Sequence, residues 1–198
     1  VKAIITSTDI PGENQMGPII HDEPCLAAEK VEFIGQAVVL IAAETEEIAR
    51  EAATLVDISY EELPAVVDLE TAIRCGELIA PERKIARGDV DAALANAPHV
   101  LRGRLKTGEQ EHWYLETQIA LAIPGEELEI TVHASSQNPS ETQAIVAEVL
   151  GIGKNEVQVE VRRMGGGFGG KETQGNHVAA WAALLANATR QPVSIRLF

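Results

Sequence analysis

Apolar and polar residues alternate along several short segments of the chain, and this period of two predicts β-strands. The alternation is clearest at Val157, Val159 and Val161, where polar side chains separate three valines. The same alternation predicts strands over residues 56–60 and 128–132, and frequent β-branched residues predict others over residues 1–6, 31–43 and 192–197.

Helices are predicted between these strands, and two of them carry recognisable capping residues. Thr45 is a predicted N-cap with two glutamates in the following turn. Asn138 caps another helix, which Gly151 ends. Residues 90–96 and the alanine-rich residues 177–189 predict two more helices. Strands and helices mixed in this way predict an α+β fold.

The composition narrows the kind of protein. A net charge of −14 over 198 residues disfavours nucleic acid and acidic membranes as partners. No apolar run approaches the roughly 20 residues that span a membrane, and no leader opens the chain, so a cytoplasmic location is expected. Cys25 and Cys75 are expected to be unpaired thiols. Because Val1 lies within a predicted strand, the chain reads as a fragment.

The stretch VRRMGGGFGGKETQ, residues 161–174, follows the last internal strand and precedes the alanine-rich helix. It matches the spacing of a Walker A loop, but Glu172 stands where that loop needs a hydroxyl for magnesium. It also matches a dinucleotide loop, but no acid for the ribose follows between Asn187 and Leu197. A merely flexible turn does not need this many glycines. The remaining interpretation is a backbone closely approached by a ligand, with Phe168 and Glu172 as its only important side chains.

A second unusual stretch is TGEQEHWYLETQ, residues 107–118, which combines amides, acids and aromatics although aromatics are only 4% of the chain. His112 beside Glu111 allows acid–base chemistry, but an interface or core histidine with its nitrogens satisfied is the better explanation of His112 taken alone. The segment as a whole is more typical of the lining of a ligand-binding site than of a core strand.

Together the two stretches resemble the molybdenum-binding large subunit of the xanthine dehydrogenase/xanthine oxidase family. GEQEHWYLETQ is similar to one motif of that family, and RRMGGGFGGKE is similar to its glycine loop. Other segments, including DIPGEN, VEFIGQAV and ARGDVDAALANAPHV, extend the similarity over the whole chain. The resemblance implies a small α/β hammerhead domain over residues 1–85, followed by the first part of an α/β molybdopterin-binding domain over residues 86–198.

The resemblance also implies roles for individual residues. Gln110 would hydrogen-bond an oxo group on molybdenum, and the backbone at Phe168 would approach the metal, neither residue being a direct ligand. Glu172 would hold a purine ring. The pterin would lie along Gly166, Gly167 and Gly169.

The implied reaction inserts oxygen from water beside a ring nitrogen, converting hypoxanthine and xanthine to urate. Electrons would pass to 2Fe-2S clusters and FAD on partner chains or domains, in a homo-oligomer of such assemblies. The final acceptor would be NAD, with oxygen as the alternative that the sequence leaves open. The general base is expected downstream, so no catalytic residue is assigned and the fragment alone is expected to be inactive. The alternatives are a non-catalytic assembly module and a hydroxylase of other N-heterocycles or aldehydes. Glu109 and Trp113 depart from the family motif, so their roles, like that of His112, stay open.

Overall fold

The computed structural model describes residues 1–197, which form two compact units. The main unit comprises residues 1–57 together with residues 111 onwards, and the small unit is Ile58–Gln110. Among the described residues, no helix is long and apolar enough to cross a membrane.

Strands and helices alternate irregularly along the chain. The strands are β1 (Ala3–Ile5), β2 (Leu40–Ala42), β3 (Ile119–Pro124), β4 (Ile130–Ala134), β5 (Val157–Glu160) and β6 (Val193–Arg196). The helices are α1 (Glu46–Thr54), α2 (Leu69–Cys75), α3 (Val90–Asn96), α4 (Pro139–Leu150) and α5 (Gly175–Thr189). The predicted α+β class is confirmed.

A four-stranded sheet with the order β5-β4-β3-β6 forms the centre of the main unit. Strand β3 runs antiparallel to both β4 and β6, whereas β4 and β5 are parallel and are joined through α4. Strands β1 and β2 pair separately as an antiparallel ribbon. The glycine-rich stretch leaves the end of β5 and leads into α5, so the sheet fixes where it starts.

Helices α4 and α5 pack on this sheet and bury most of its apolar side chains. The contact surface of α5 is dominated by small residues, all fully buried: Ala179, Ala180, Ala182, Ala183 and Ala186. Because alanine side chains are short, the helix backbone comes close to β3, where Ala120 and Ala122 are also buried. The predicted close packing of this helix is confirmed.

The predicted helix ends are also confirmed. The Thr45 hydroxyl accepts a hydrogen bond from the Ile48 N–H, at 3.3 Å. The Asn138 side chain accepts from the Glu141 N–H at 3.3 Å, and Gly151 ends α4 in the left-handed conformation. These ends were predictable because each depends on residues within one helical turn.

Two strand predictions are wrong in extent. Residues 56–60 form no strand, and within residues 31–43 only Leu40–Ala42 is a strand. Alternation produces a strand only where a neighbouring strand supplies hydrogen bonds, and Val56, Ile58 and Tyr60 are exposed instead. Strand β3 and helix α2 were not predicted.

The small unit contains α2 and α3, each with an aspartate cap. Asp68 accepts from the Thr71 N–H at 2.8 Å, and Asp89 accepts from the Ala92 N–H at 2.9 Å. Most of its other residues lie outside regular structure and are exposed. These compact units are defined by contacts in space and need not coincide with domains along the sequence. The predicted domain boundary at residue 85 therefore stays a prediction.

Candidate functional site

The glycine loop, residues 165–170, has a backbone that ordinary side chains disfavour. Gly166 and Gly169 have φ angles of 99° and 94°, which glycine adopts without steric cost. Phe168 has a φ of 52°, although a bulky residue rarely occupies the left-handed region. Its side chain is 75% exposed, so no core packing compensates for this backbone. Such a conformation at an exposed aromatic residue is typical of a functional site.

Three other glycines of the loop are required by close packing. A Cβ atom at Gly165 would lie 2.5 Å from the Cβ of Glu116, and one at Gly167 would lie 2.5 Å from Oε1 of Gln137. A Cβ atom at Gly170 would lie 2.6 Å from Cε1 of Tyr114. Segments 114–116 and 135–137 therefore touch the loop backbone directly.

The middle of the loop presents peptide donors that the protein leaves free. In the part of the chain that the structure describes, the N–H groups of Gly166, Gly167 and Phe168 have no hydrogen-bond partner. Gly167 is a buried residue, and N–H groups of buried residues almost always have partners. These three neutral donors are available to an external acceptor.

Gln137 holds the C-terminal half of the loop. Its Oε1 accepts hydrogen bonds from the N–H groups of Gly169, at 2.9 Å, and Lys171, at 3.2 Å. Its own backbone N–H donates to the carbonyl oxygen of Lys171 at 2.9 Å. Gln137 follows β4 and precedes α4, so the sheet and both helices determine where this half of the loop lies.

Lys171 is fully buried beside the loop, and its ammonium group contacts only protein atoms. Its Nζ donates to the carbonyl oxygen of Glu116 at 2.7 Å, to Oε2 of Glu116 at 2.9 Å and to Oγ of Ser135 at 2.8 Å. It also lies 4.6 Å from the ring centroid of Tyr114. The expectation that Phe168 and Glu172 are the side chains that meet a ligand stays a prediction, whereas Lys171 is a further side chain that holds the loop from inside the protein.

The Glu116 carboxylate is the partner of this ammonium group. Its Oε2 also accepts from the Ser135 hydroxyl at 2.5 Å and from the Gly165 N–H at 3.0 Å. Burial raises the pKa of the Glu116 carboxyl, but the hydrogen bonds from Ser135 and Gly165 and the charge of Lys171 outweigh it, lowering the pKa to about 2. Glu116 is therefore ionised and neutralises Lys171.

The structure gathers most of the predicted site residues in one place. Gly166, Gly167, Phe168 and Gly169 lie in the loop, and Glu172 follows it. Glu172 is exposed, and its carboxylate has no hydrogen bond or ion pair with any described residue.

Gln110 belongs to the small unit, where it is exposed and its amide donates to the carbonyl oxygen of Glu109 at 2.9 Å. Its placement at the metal stays a prediction. The part of its motif that follows, from Glu111 onwards, lies in the main unit, where some of its side chains contact the loop. The ring of His112 stacks on Tyr114 with centroids 6.4 Å apart, and both rings border Gly170. Trp113 between them is 92% exposed and has a φ of 46°.

Sequence reasoning missed the residues that hold the loop: Lys171, Glu116, Ser135 and Gln137. Lys171 and Glu116 are 55 positions apart, and Gln137 is 32 positions from Gly169. The available signals were the lysine that follows the glycines and the SSQNP segment before α4. Neither signal says which residues pair.

The donor set fits a cofactor whose outer atoms are oxygens. Three peptide N–H groups bind oxygen acceptors without adding charge, and the nearest ammonium group is already neutralised by Glu116. The closely packed glycines leave the backbone itself as the contact surface. Residues 166–168 would therefore be able to hold an oxygen-bearing cofactor, such as the one that the resemblance implies, through their main chain.

Two family models match the chain. The molybdopterin cofactor-binding domain matches residues 76–197. The a/b hammerhead domain of aldehyde oxidase and xanthine dehydrogenase matches residues 1–64. Together these matches bear out the expected pair of domain types, in the expected order.

The chain is similar to xanthine dehydrogenases over its whole length. It is 45% identical over 197 residues to the xanthine dehydrogenase of Dictyostelium discoideum and 41% identical over 194 residues to the xanthine dehydrogenase/oxidase of Mus musculus. These alignments cover 100% and 98% of the chain. The chain spans 14% of the length of each of these relatives.

Solved structures of molybdenum-type oxidoreductases share the fold. Quinoline 2-oxidoreductase from Pseudomonas putida 86 matches all of the chain with a TM-score of 0.82 and 26% identity, over 27% of its own length. Aldehyde oxidoreductase from Desulfovibrio gigas matches 98% of the chain with a TM-score of 0.80 and 27% identity, over 23% of its own length. With its glycine loop and its molybdopterin-binding match, the chain belongs to the xanthine dehydrogenase/xanthine oxidase family of molybdenum hydroxylases.

Proposed function

We propose that this chain forms part of the molybdenum site of a hydroxylase that oxidises purines, converting hypoxanthine and xanthine to urate with water as the oxygen source. The observation that supports it best is the glycine loop, in which the N–H groups of Gly166, Gly167 and Phe168 find no partner among the described residues. When bound, the molybdenum cofactor supplies the oxygen-transfer and redox chemistry. The chain's own residues bind the cofactor and orient it.

The proposed roles follow the two stretches of sequence. The main chain of residues 166–169 lies along the pterin, and the peptide at Phe168 donates toward the metal centre. Gln110 donates its amide to an oxygen on the metal. Glu172 has no partner among the described residues, so its carboxylate is able to accept a hydrogen bond from a ring N–H of the substrate.

The remaining parts of the reaction lie outside these residues. We propose that the general base and a second substrate-orienting residue are supplied by further protein, so the 198 residues alone do not turn over substrate. Partner chains or domains with 2Fe-2S clusters and FAD accept the electrons and pass them to NAD, within a homo-oligomer of such assemblies. The proposed location is the cytoplasm.

A second candidate is a related hydroxylase acting on other N-heterocycles or on aldehydes. It is favoured by the similarity in fold to a quinoline oxidoreductase and to an aldehyde oxidoreductase. The acidic Glu172 favours a purine, since an aldehyde offers no ring N–H for a carboxylate to bind. A non-catalytic assembly module would leave the free N–H groups of the loop without a purpose.

The test is the molybdenum and pterin content of the purified protein that contains this chain. The wild-type protein should hold both. Gly167→Ala should lower both contents at least about tenfold, because the added Cβ displaces Gln137 and with it the loop.

Gly103→Ala is the matched control, since a Cβ atom there meets nothing within 4 Å. Its molybdenum content should equal that of the wild type. A wild-type protein that contains neither molybdenum nor pterin would refute the proposed function and leave the assembly module as the explanation.

A further inference from the structure

A single carboxylate oxygen joins the two ends of the glycine loop. Oε2 of Glu116 accepts the N–H of Gly165, where the loop begins, at 3.0 Å. The same oxygen accepts Nζ of Lys171, the first residue after the loop, at 2.9 Å. The backbone N–H of Glu116 adds a third contact, donating to the carbonyl oxygen of Gly165 at 3.2 Å.

Lys171 has no remaining capacity to bind a ligand. Its ammonium group has three donors, and three acceptors of Glu116 and Ser135 lie within 2.9 Å of Nζ. Its side chain is completely inaccessible to solvent. Any effect of Lys171 on a bound cofactor must therefore act through the loop.

The residues between these ends carry the free donors. The loop has few internal hydrogen bonds. Gly170 donates to the carbonyl oxygen of Gly167 at 2.7 Å, while the N–H groups of residues 166–168 have no partner in the part of the chain that the structure describes. Glycine-rich backbone has many accessible conformations, so its order depends on the groups that hold its ends. Glu116 and Lys171 hold both ends, and Gln137 holds the second half.

We propose that Lys171 and Glu116 are positioning residues, which fix the loop so that the free N–H groups of residues 166–168 face the cofactor in one orientation. Ser135 supports the pair by bonding to both charged groups. The identity of the ligand rests on the function proposed above, whereas the ordering of the loop does not depend on it.

The test substitutes Lys171→Met in the whole protein and measures amide hydrogen exchange across residues 161–174. Methionine has a similar length but no charge, so the variant leaves the Glu116 carboxylate without its partner. Exchange at the hydrogen-bonded amides of Gly165, Gly169 and Gly170 should become at least about tenfold faster. Molybdenum content should fall in the same variant.

Val149→Ala is the control for general destabilisation. Val149 is fully buried in α4, so its truncation to alanine leaves a cavity in the core, outside the glycine loop. It should lower the melting temperature without changing exchange across residues 161–174. The electron paramagnetic resonance spectrum of its reduced molybdenum should match that of the wild type. The molybdenum that the Lys171→Met variant retains should give a spectrum that differs from that of the wild type.

The double variant Glu116→Gln with Lys171→Met covers the case in which the single variant fails to fold. It removes both charges, so its melting temperature should be closer to that of the wild type, while loop exchange stays fast. Unchanged exchange in both variants, or equally faster exchange in Val149→Ala, would overturn the inference. Wild-type protein without molybdenum would refute only the proposed function, since the exchange data still decide whether the pair orders the loop.

Discussion

Lys171 occupies the position that a nucleotide-binding loop gives to its phosphate-binding lysine, yet its ammonium group is enclosed by Glu116, Ser135 and the ring of Tyr114. The same spacing of glycines and lysine therefore serves a different purpose here. Glu172 already disfavours a nucleotide loop, and the burial of Lys171 is the stronger reason to exclude one. A lysine whose donors are all used inside the protein cannot bind a phosphate.

Glu172 differs from Glu116 in having no partner within the described residues. Under the proposed function, Glu172→Gln should lower kcat/KM for xanthine by about 10²-fold or more, because an amide cannot replace a charged acceptor. Molybdenum content should be unchanged, and steady-state kinetics on the metal-loaded protein measures the effect. Equal loss with an aldehyde substrate would contradict the role of Glu172 in holding a purine.

Glu116 predicts a dependence of stability on pH. Because its pKa is lowered from 4.5 to about 2 in the folded protein, its contribution to the free energy of unfolding is complete above pH 4.5. That contribution decreases as the pH falls from 4.5 and is lost below about pH 2, where the carboxyl is protonated in both states. Urea unfolding at pH values from 2 to 6 should show a steeper decline for the wild type than for Glu116→Gln. Glu51→Gln, a change at an exposed position of α1, should follow the wild-type curve.

At the level of elements, the C-terminal end of α4 is covered by an irregular segment from the start of the chain. The N–H groups of Gly12 and Glu13 donate to the carbonyl oxygens of Val149 and Glu148, at 3.0 Å and 2.9 Å. These carbonyls lie in the last turn of the helix, beyond the regular i+4 donors, and that of Glu148 also accepts the N–H of the C-cap residue Gly151 at 3.2 Å. An excursion punctuated by prolines and glycines thus completes a helix more than 130 positions away.

Gly12→Ala should destabilise the protein by about 1–3 kcal/mol, since the added Cβ would overlap the carbonyl oxygen of Glu148 and approach Gly151. Thermal unfolding of the 198-residue chain measures this as a lower melting temperature. Gly108→Ala adds a Cβ in open space and should leave the melting temperature unchanged. A normal melting temperature for Gly12→Ala would show that this contact contributes nothing.

Helix ends were predictable and strand pairs were not, for a physical reason. Thr45, Asn138 and Gly151 act on hydrogen bonds within a few residues of themselves, so the local sequence contains the whole interaction. A strand depends on a partner whose position the alternation does not specify. Residues 56–60 alternate well but have no partner, whereas β3, the central strand between β4 and β6, was overlooked.

At the scale of the whole molecule, the resemblance places residues 107–118 and residues 161–174 at one site. The structure brings the second half of the first stretch into contact with the glycine loop of the other. His112, Tyr114, Glu116 and Gln118 all contact the glycine loop within the main unit. Gln110 belongs to the small unit, so its proposed role awaits a test. The motifs indicated which segments matter, but the contacts between them require tertiary structure.

The glycine loop cannot be transferred to another protein by itself. An engineer who grafted only residues 165–170 onto another scaffold would leave behind the carboxylate that joins its ends and the amide of Gln137 that holds its second half. Three stretches that are distant in the chain, residues 112–118, 135–137 and 161–175, would have to be transplanted as one unit. A designed oxidoreductase that uses this glycine loop would therefore need to reproduce all three stretches in their tertiary arrangement. The sequence motif alone would not be enough.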